Sequence, residues 1–270
     1  MTSSRFNGEV VTITGAASGI GRALALLLAG EGALLSLADV NAAALAGVKA
    51  EALQRRPDSA TDTTIFTAVV DVRSRKSCEE WIQATLSHFG KPLAGAANLA
   101  GVIGRSITQE GGSTRNIQDD EFDWVMQVNV NGTLNCMRAE LPHMRTGKAG
   151  RGGGAIVNAA SISGIMGLER NCPYVAAKHS IVGLTRTAAK EEGANAIRVN
   201  AIAPGIIATP MLKQIEASAG STDLIGKGDP GALARKGDPE EVAEAIAFLL
   251  SPQSSFISGA VLPIDGGFAC

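Results

Sequence analysis

Residues Thr14 to Gly21, Thr-Gly-Ala-Ala-Ser-Gly-Ile-Gly, stand between a β-rich run, Val10 to Thr14, and a helical pattern from Ile20 to about Gly30. Glycine at 15, 19 and 21 permits a tight turn and brings backbone N–H groups close to a pyrophosphate at the helix N-terminus. Ser18 and Ile20 complete that turn. Asp39 follows at the end of the second strand-like run, 18 residues after Gly21. A carboxylate there accepts hydrogen bonds from both hydroxyls of an adenosine ribose and repels a 2′-phosphate. Ser18, Val40 and Asn41 supply no cation for such a phosphate, so the expected cofactor is NAD rather than NADP.

Strand-like and helix-like segments alternate along the rest of the chain, the mark of a parallel sheet with crossover helices. Strands are expected at Val10–Thr14, Ala33–Ala38, Ile65–Val70, Leu93–Leu99, Ala155–Ala159, Ile197–Ile202 and Val261–Ile264. Helices are expected at 20–30, 41–55, 74–89, 119–144, 171–192 and 238–250, the long 119–144 helix capped by Asp119 or Asp120. Asp238-Pro239-Glu240 opens the last helix with proline at its first position. A polar loop, 104–118, exceeds the usual ~4–6 residues and is expected to be functional or a mobile insertion. No linker or repeat divides the series. The expectation is one α/β domain over 1–270: a Rossmann-type, doubly wound, seven-stranded parallel sheet with helices on both faces.

Composition narrows the partners. With 45% hydrophobic and 19% charged residues and a net charge of −2, the chain has no basic run to favour nucleic acid or an anionic membrane. Arg145, Lys148 and Arg151 fall in a Gly-rich turn and read as solvated surface. Apolar runs are too short for a membrane span. The N-terminus carries no apolar signal region. Cys78, Cys136, Cys172 and Cys270 show no CxxC spacing, so no zinc site or disulfide framework is expected, and reduced thiols fit a cytoplasmic protein. His88, His143 and His179 lie far apart in sequence, and no metal is expected.

Tyr174, the one tyrosine, precedes Lys178 by four positions. One helical turn places both side chains on one face. A phenol with a reference pKa near ~10 does proton chemistry at neutral pH only when a nearby cation stabilises its phenolate.

Together these residues resemble the short-chain dehydrogenase/reductase family, in its short single-domain branch, from Val10 to Gly267. The family's TGxxxGxG motif is present as Thr14 to Gly21, and its adenine-pocket Asp with a following apolar residue as Asp71-Val72. Its NNAG segment appears as Asn98-Leu99-Ala100-Gly101. Leu99 departs from the second Asn and weakens a sheet-stabilising hydrogen bond, while Asn98, Ala100 and Gly101 keep the cofactor contact. The catalytic tetrad matches Asn129, Ser161, Tyr174 and Lys178. Ser161 stands 13 residues before the tyrosine and is favoured over Ser163 by that spacing; Asn129 is favoured over Asn131 by its Asn-x-x-Gly context. Pro204-Gly205, with Ile207 and Thr209, matches the segment that contacts the nicotinamide carboxamide, and Asp265-Gly266-Gly267 is a typical ending.

The resemblance implies oxidation of a secondary alcohol, or the reverse reduction of a ketone. Tyr174 is the acid or base. Lys178, with the positive nicotinamide, lowers its pKa and bonds the nicotinamide ribose. Ser161 bonds the substrate oxygen, and Asn129 holds a relay water. Moving a phenol from ~10 to ~7 takes about 4 kcal/mol. The substrate pocket is expected between 164–168, 211–215 and the 104–118 loop. Ser161, Ser163, Ile165, Met166, Leu168, Met211 and Leu212 bind the substrate there, an uncharged and fairly lipophilic alcohol or ketone. A lid is expected over 205–236. The Asn-Leu-Ala-Gly variant with its long following loop is similar to dehydrogenases of fungal natural-product pathways. The family's long helices imply a homodimer or homotetramer. Two other classes stay open: a non-redox enzyme on the same fold (isomerase, dehydratase or cyclase) and an NAD-sensing binding protein.

Overall fold

The computed structural model describes residues 4–56, 62–222 and 231–270. Seven strands, β1 (Val10–Thr14), β2 (Leu34–Asp39), β3 (Ile65–Val69), β4 (Leu93–Asn98), β5 (Ala155–Ala159), β6 (Arg198–Pro204) and β7 (Val261–Ile264), form one parallel sheet in the order 3-2-1-4-5-6-7. β1, Val-Val-Thr-Ile-Thr, is buried at all five positions. Continuous burial is what a strand covered on both faces requires, and it explains the near-unbroken apolar runs. In register, Thr14 lies beside Ala38 of β2 and Asn98 of β4.

The helices are α1 (Gly19–Gly30), α2 (Ala42–Arg55), α3 (Arg75–Phe89), α4 (Asp119–Met126), α5 (Gly132–Glu140), α6 (Cys172–Glu191), α7 (Pro210–Ala219) and α8 (Pro239–Leu250). One face of the sheet packs on α1, α2 and α8 through Leu24, Leu28, Leu45, Val242 and Ile246. The other packs on α3, α5 and α6 through Trp81, Ile82, Met137 and Ala188. Doubly wound architecture in a single domain is therefore what the chain adopts.

Beyond shifts of one or two residues at element ends, three features differ from the sequence reading. Gln118, not Asp119 or Asp120, is the N-cap of α4, and both aspartates sit in its first turn, where negative charge is favourable. The single helix expected over 119–144 is interrupted by a π-helical segment, Gln127–Asn131, and ends in a 3-10 turn at Leu141–His143. Helical periodicity does not reveal one extra residue in a turn. No helix is expected at α7, only a pocket wall at 211–215 and part of a lid. Its start is signalled by Thr209-Pro210, with the Thr209 hydroxyl accepting from Leu212 N at 3.3 Å, a cap-plus-proline opening like that of α8. Residues 223–230 of the expected lid lie outside the described residues.

Candidate active site

The chain order reverses between β1 and β4, where open parallel sheets bind ligands beyond their carboxyl ends. A cavity of about 680 Å³ lies there. Just after β1, Gly15 has φ +66°, and a Cβ on it would sit 2.9 Å from Ala100 N, so only glycine fits between the ends of β1 and β4. Thr14 Oγ1 accepts from Leu99 N at 3.1 Å and Ala100 N at 3.2 Å. The Leu99 position is thus tied to β1 through its backbone, and its side chain lines the cavity.

α1 begins after Ser18 with no side-chain cap and no acid in its first turn, an N-terminus suited to an anion. Asp39 is fixed at the end of β2 against the glycine turn, its Oδ2 accepting from Ala17 N at 3.1 Å and its Oδ1 from Asn41 N at 3.0 Å. Deeper in, Ile20, Gly101, Pro204, Gly205, Ile207 and Thr209 line the cavity. A Cβ on Gly101 would lie 2.7 Å from Asn129 Oδ1 and 3.5 Å from Lys178 Nζ, which keeps that approach narrow. These features fit a nicotinamide dinucleotide.

Two residues expected to contact the cofactor have side chains hydrogen-bonded within the chain. Asn98, at the end of β4, turns its side chain under the sheet, where Nδ2 donates to Glu140 Oε2 and Asn158 Oδ1, both at 3.1 Å. A strand alternates its faces, and Asn98 falls on the face covered by α5. Asp71 is clasped by Arg73, with Nη2 to Oδ2 at 2.6 Å, and that guanidinium holds its carboxyl below the usual carboxylate range. Val72 beside it is fixed through its carbonyl, which accepts from buried Asn135 Nδ2 at 2.9 Å.

Ser161, Tyr174 and Lys178 meet on one wall of the cavity. Ser161 ends the strand β5 segment as the cap of a 3-10 turn, its Oγ accepting from Ser163 N at 3.1 Å. α6 carries Tyr174 and Lys178 one turn apart. Enclosure pushes the Tyr174 phenol up to about 12, partly opposed by a hydrogen bond from Ser161. Burial brings the Lys178 ammonium down to about 8, and Nζ donates to Ala159 O at 2.7 Å. The expected lowering of Tyr174 by Lys178 is therefore not a property of the chain alone, because desolvation outweighs the one opposing interaction, the Ser161 hydrogen bond.

Asn129 is fully buried in the π-helical segment. Its Nδ2 donates to Val102 O and Val125 O at 2.9 Å each, and its Oδ1 accepts from Val102 N at 3.2 Å. The amide braces the chain after β4, beside Gly101. The rival Asn131 is exposed.

Of the expected substrate residues, Ser161, Ser163, Leu168, Met211 and Leu212 line the cavity. Ile165 and Met166 do not: the chain turns outward after the 3-10 turn Ile162–Gly164, leaving Ile165 39% exposed. Thr108, in the loop expected as a wall, also lines the cavity, while sequence reasoning missed Arg170 and Asn171. The only signal was indirect, in the Asn-Cys-Pro start of α6. Thr108 and Arg170 both have positive φ, +67° and +54°, and are joined by Thr108 N to Arg170 O at 3.2 Å. α7 closes onto the same loop, Ser218 Oγ donating to Ile107 O at 2.6 Å and accepting from Gln109 Nε2 at 3.1 Å.

A family model described as enoyl-(acyl carrier protein) reductase matches residues 15–269. Short-chain dehydrogenase/reductase aba4 of Botryotinia fuckeliana is 46% identical over 100% of both chains. The chain belongs to the short-chain dehydrogenase/reductase family. Levodione reductase of Leifsonia aquatica is 40% identical, covering 98% of this chain and 95% of its own. A crystal structure of levodione reductase superposes with a TM-score of 0.86 at 39% identity, over 98% of this chain and 99% of that one. NAD+-bound xylitol dehydrogenase does so at 0.83 and 33%, over 97% and 100%. In this short-chain dehydrogenase/reductase no group of His, Cys, Asp or Glu among the described residues could hold a metal ion. No helix among them is long and apolar enough to cross a membrane.

Proposed function

We propose that this short-chain dehydrogenase/reductase interconverts a secondary alcohol and its ketone with NAD(H). The observation that carries the reading is the convergence of Ser161, Tyr174 and Lys178 on one wall of a cavity that Ile20, from the glycine turn, also lines. Relatives named for reducing levodione and dehydrogenating xylitol support the same class of reaction. A bound nicotinamide supplies the hydride acceptor for the alcohol or the hydride donor for the ketone. Tyr174 Oη exchanges the proton with the substrate oxygen, and Ser161 donates a hydrogen bond to that oxygen as its charge grows. With its phenol pushed up to about 12, Tyr174 stands ready as an acid toward a carbonyl. Acting as a base, it needs added positive charge beside the ring.

Asp39, held by two backbone N–H groups at the end of β2, supports NAD over NADP, since a carboxylate repels a 2′-phosphate. The wall of Leu99, Leu168, Met211 and Leu212 suits an uncharged, fairly lipophilic substrate. The proposal includes α7 as part of a lid, pairing of subunits through the long helices, and a cytoplasmic location. The test is NADH formation over a panel of secondary alcohols, with Tyr174→Phe as control. We expect turnover in the wild type and its near-complete loss in Tyr174→Phe with cofactor binding retained. Equal turnover in both proteins would refute the assignment.

A further inference from the structure

Two walls of the catalytic cavity come from separate stretches of chain. The 104–118 loop supplies Ile107 and Thr108, and α7 supplies Met211, Leu212, Ile215 and Ala219. Positions 211, 215 and 219 recur at one helical turn, so a whole face of α7 lies along the cavity. The first turn of α7 is fixed at the glycine turn, where the methyl of its cap Thr209 stands 3.2 Å from the place a Cβ on Gly19 would take. Glu216 pairs with Lys236, which does not line the cavity.

Toward the loop, every hydrogen bond of α7 among the described residues runs through Ser218. Its Oγ donates to Ile107 O at 2.6 Å, accepts from Gln109 Nε2 at 3.1 Å, and has Thr108 Oγ1 3.4 Å away. A hydroxyl offers one proton and two lone pairs, so this one is committed wholly to the loop. Serines inside helices ordinarily bond back to the carbonyl four residues before. Ser87 does so to Gln83 O at 2.9 Å and Ser180 to Ala176 O at 3.0 Å. Ser218 turns to the loop instead. The receiving loop is itself anchored on its other side. Thr108, at φ +67°, gives its N–H to Arg170 O at 3.2 Å, and Ser106 gives its N–H and hydroxyl to Glu121 Oε1 on α4 at 2.9 and 3.0 Å.

We propose that Ser218 is a latch: its hydrogen bonds to the 104–118 loop hold α7 over the bound substrate, and their release opens the cavity for substrate entry and product exit. This inference rests on the alcohol–ketone reading of the cavity. Ser218 is a positioning residue that acts through Met211, Leu212 and Ile215 on its own helix. A hydroxyl suits a closure that opens in every turnover. Each bond it releases is replaced by one to water, so opening shifts the equilibrium by only about threefold to tenfold per bond.

The experiment follows oxidation of a lipophilic secondary alcohol by NAD+ in wild type, Ser218→Ala, Gln109→Ala and the double variant. In Ser218→Ala the KM for the alcohol and the inhibition constant of the product ketone should both rise about threefold to tenfold. The KM for NAD+ and the single-turnover rate at saturating alcohol should stay within about twofold of wild type. Gln109→Ala should move the alcohol KM the same way, and the double variant should match Ser218→Ala, because both side chains act through one hydroxyl. An unchanged alcohol KM, a single-turnover rate that falls by the same factor, or additive losses in the double variant would overturn the latch and leave the dehydrogenase reading standing. If no alcohol is oxidised, the dehydrogenase reading loses its support, and amide hydrogen exchange of the free protein decides the latch separately. Faster exchange in Ser218→Ala confined to α7 supports it. Unchanged exchange, or faster exchange throughout the sheet, overturns it.

Discussion

The Lys178 ammonium lies 5.3 Å from the centroid of the Tyr174 ring and donates to Ala159 O at 2.7 Å. It flanks the face of the phenol and is anchored by a strand-end carbonyl. That arrangement makes the titration of Tyr174 the most direct probe of the site. The chain has one tyrosine, so ultraviolet titration reports a single phenol. In the cofactor-free protein it should titrate well above 10, toward the value of about 12 that enclosure imposes. Adding NAD+ should lower it, and Lys178→Ala should raise it again in the complex. The oxidation rate should then climb with pH as phenolate forms. A free-protein phenol titrating at or below 10 would contradict the desolvated site.

Lys178 also carries a cost in stability. Its folded-state pKa, about 8, lies below the ordinary value of 10.5 because burial disfavours the cation. Below pH 8 both folded and unfolded chains hold the proton, and the penalty is fully present, about 3 kcal/mol at 1.36 kcal/mol per unit. Between pH 8 and 10.5 the folded protein releases the proton first and the penalty fades. Lys178→Met should therefore be inactive yet more stable than wild type at pH 7 by up to about 3 kcal/mol, with the gain vanishing above pH 10.5. Urea denaturation across that range measures it. A variant less stable than wild type at pH 7 would show that the hydrogen bond to Ala159 outweighs desolvation.

Asp39 governs the cofactor choice in the proposed reading. Asp39→Asn keeps an acceptor for the turn but removes the charge. The preference for NAD over NADP, as a ratio of kcat/KM values, should fall about tenfold or more, the scale of one charge-assisted hydrogen bond lost and one repulsion relieved. An unchanged ratio would place the discrimination elsewhere.

The parts of this fold legible in sequence were those fixed by local chemistry. The glycine turn, the strand runs and the cap at Asp238 lie where the residues put them, because each follows from neighbours a few positions away. What escaped depends on three-dimensional packing. Nothing local marks the π-helical segment that buries Asn129, or tells that Asn98 falls on the face covered by α5. Ile165 and Met166 have the same apolar character as Leu168, and only the outward turn after Gly164 separates them from the cavity.

Glu140 has no place in the proposed chemistry and yields the last prediction. Fully buried on α5, it accepts from Thr12 Oγ1 on β1 and from Asn98 Nδ2 on β4, each at 3.1 Å. Asn98 continues to Asn158 Oδ1 on β5 at 3.1 Å, and Asn158 to Thr185 Oγ1 on α6 at 3.0 Å. This chain of polar groups ties the central strands to the helix bearing Tyr174. Burial raises the Glu140 carboxyl from 4.5 to about 7, against the two hydrogen bonds that favour its ionised form. Here the folded state holds the proton more tightly than the unfolded state. Stability from this group is thus lost as pH rises from 4.5 through 7, and the full penalty, about 3 kcal/mol, applies above pH 7. Glu140→Gln cannot ionise. Relative to wild type, its unfolding free energy should therefore improve by about 3 kcal/mol between pH 4.5 and pH 8, whatever its absolute value at either end. Parallel stability curves for the two proteins over that interval would mean that Glu140 does not change its protonation there.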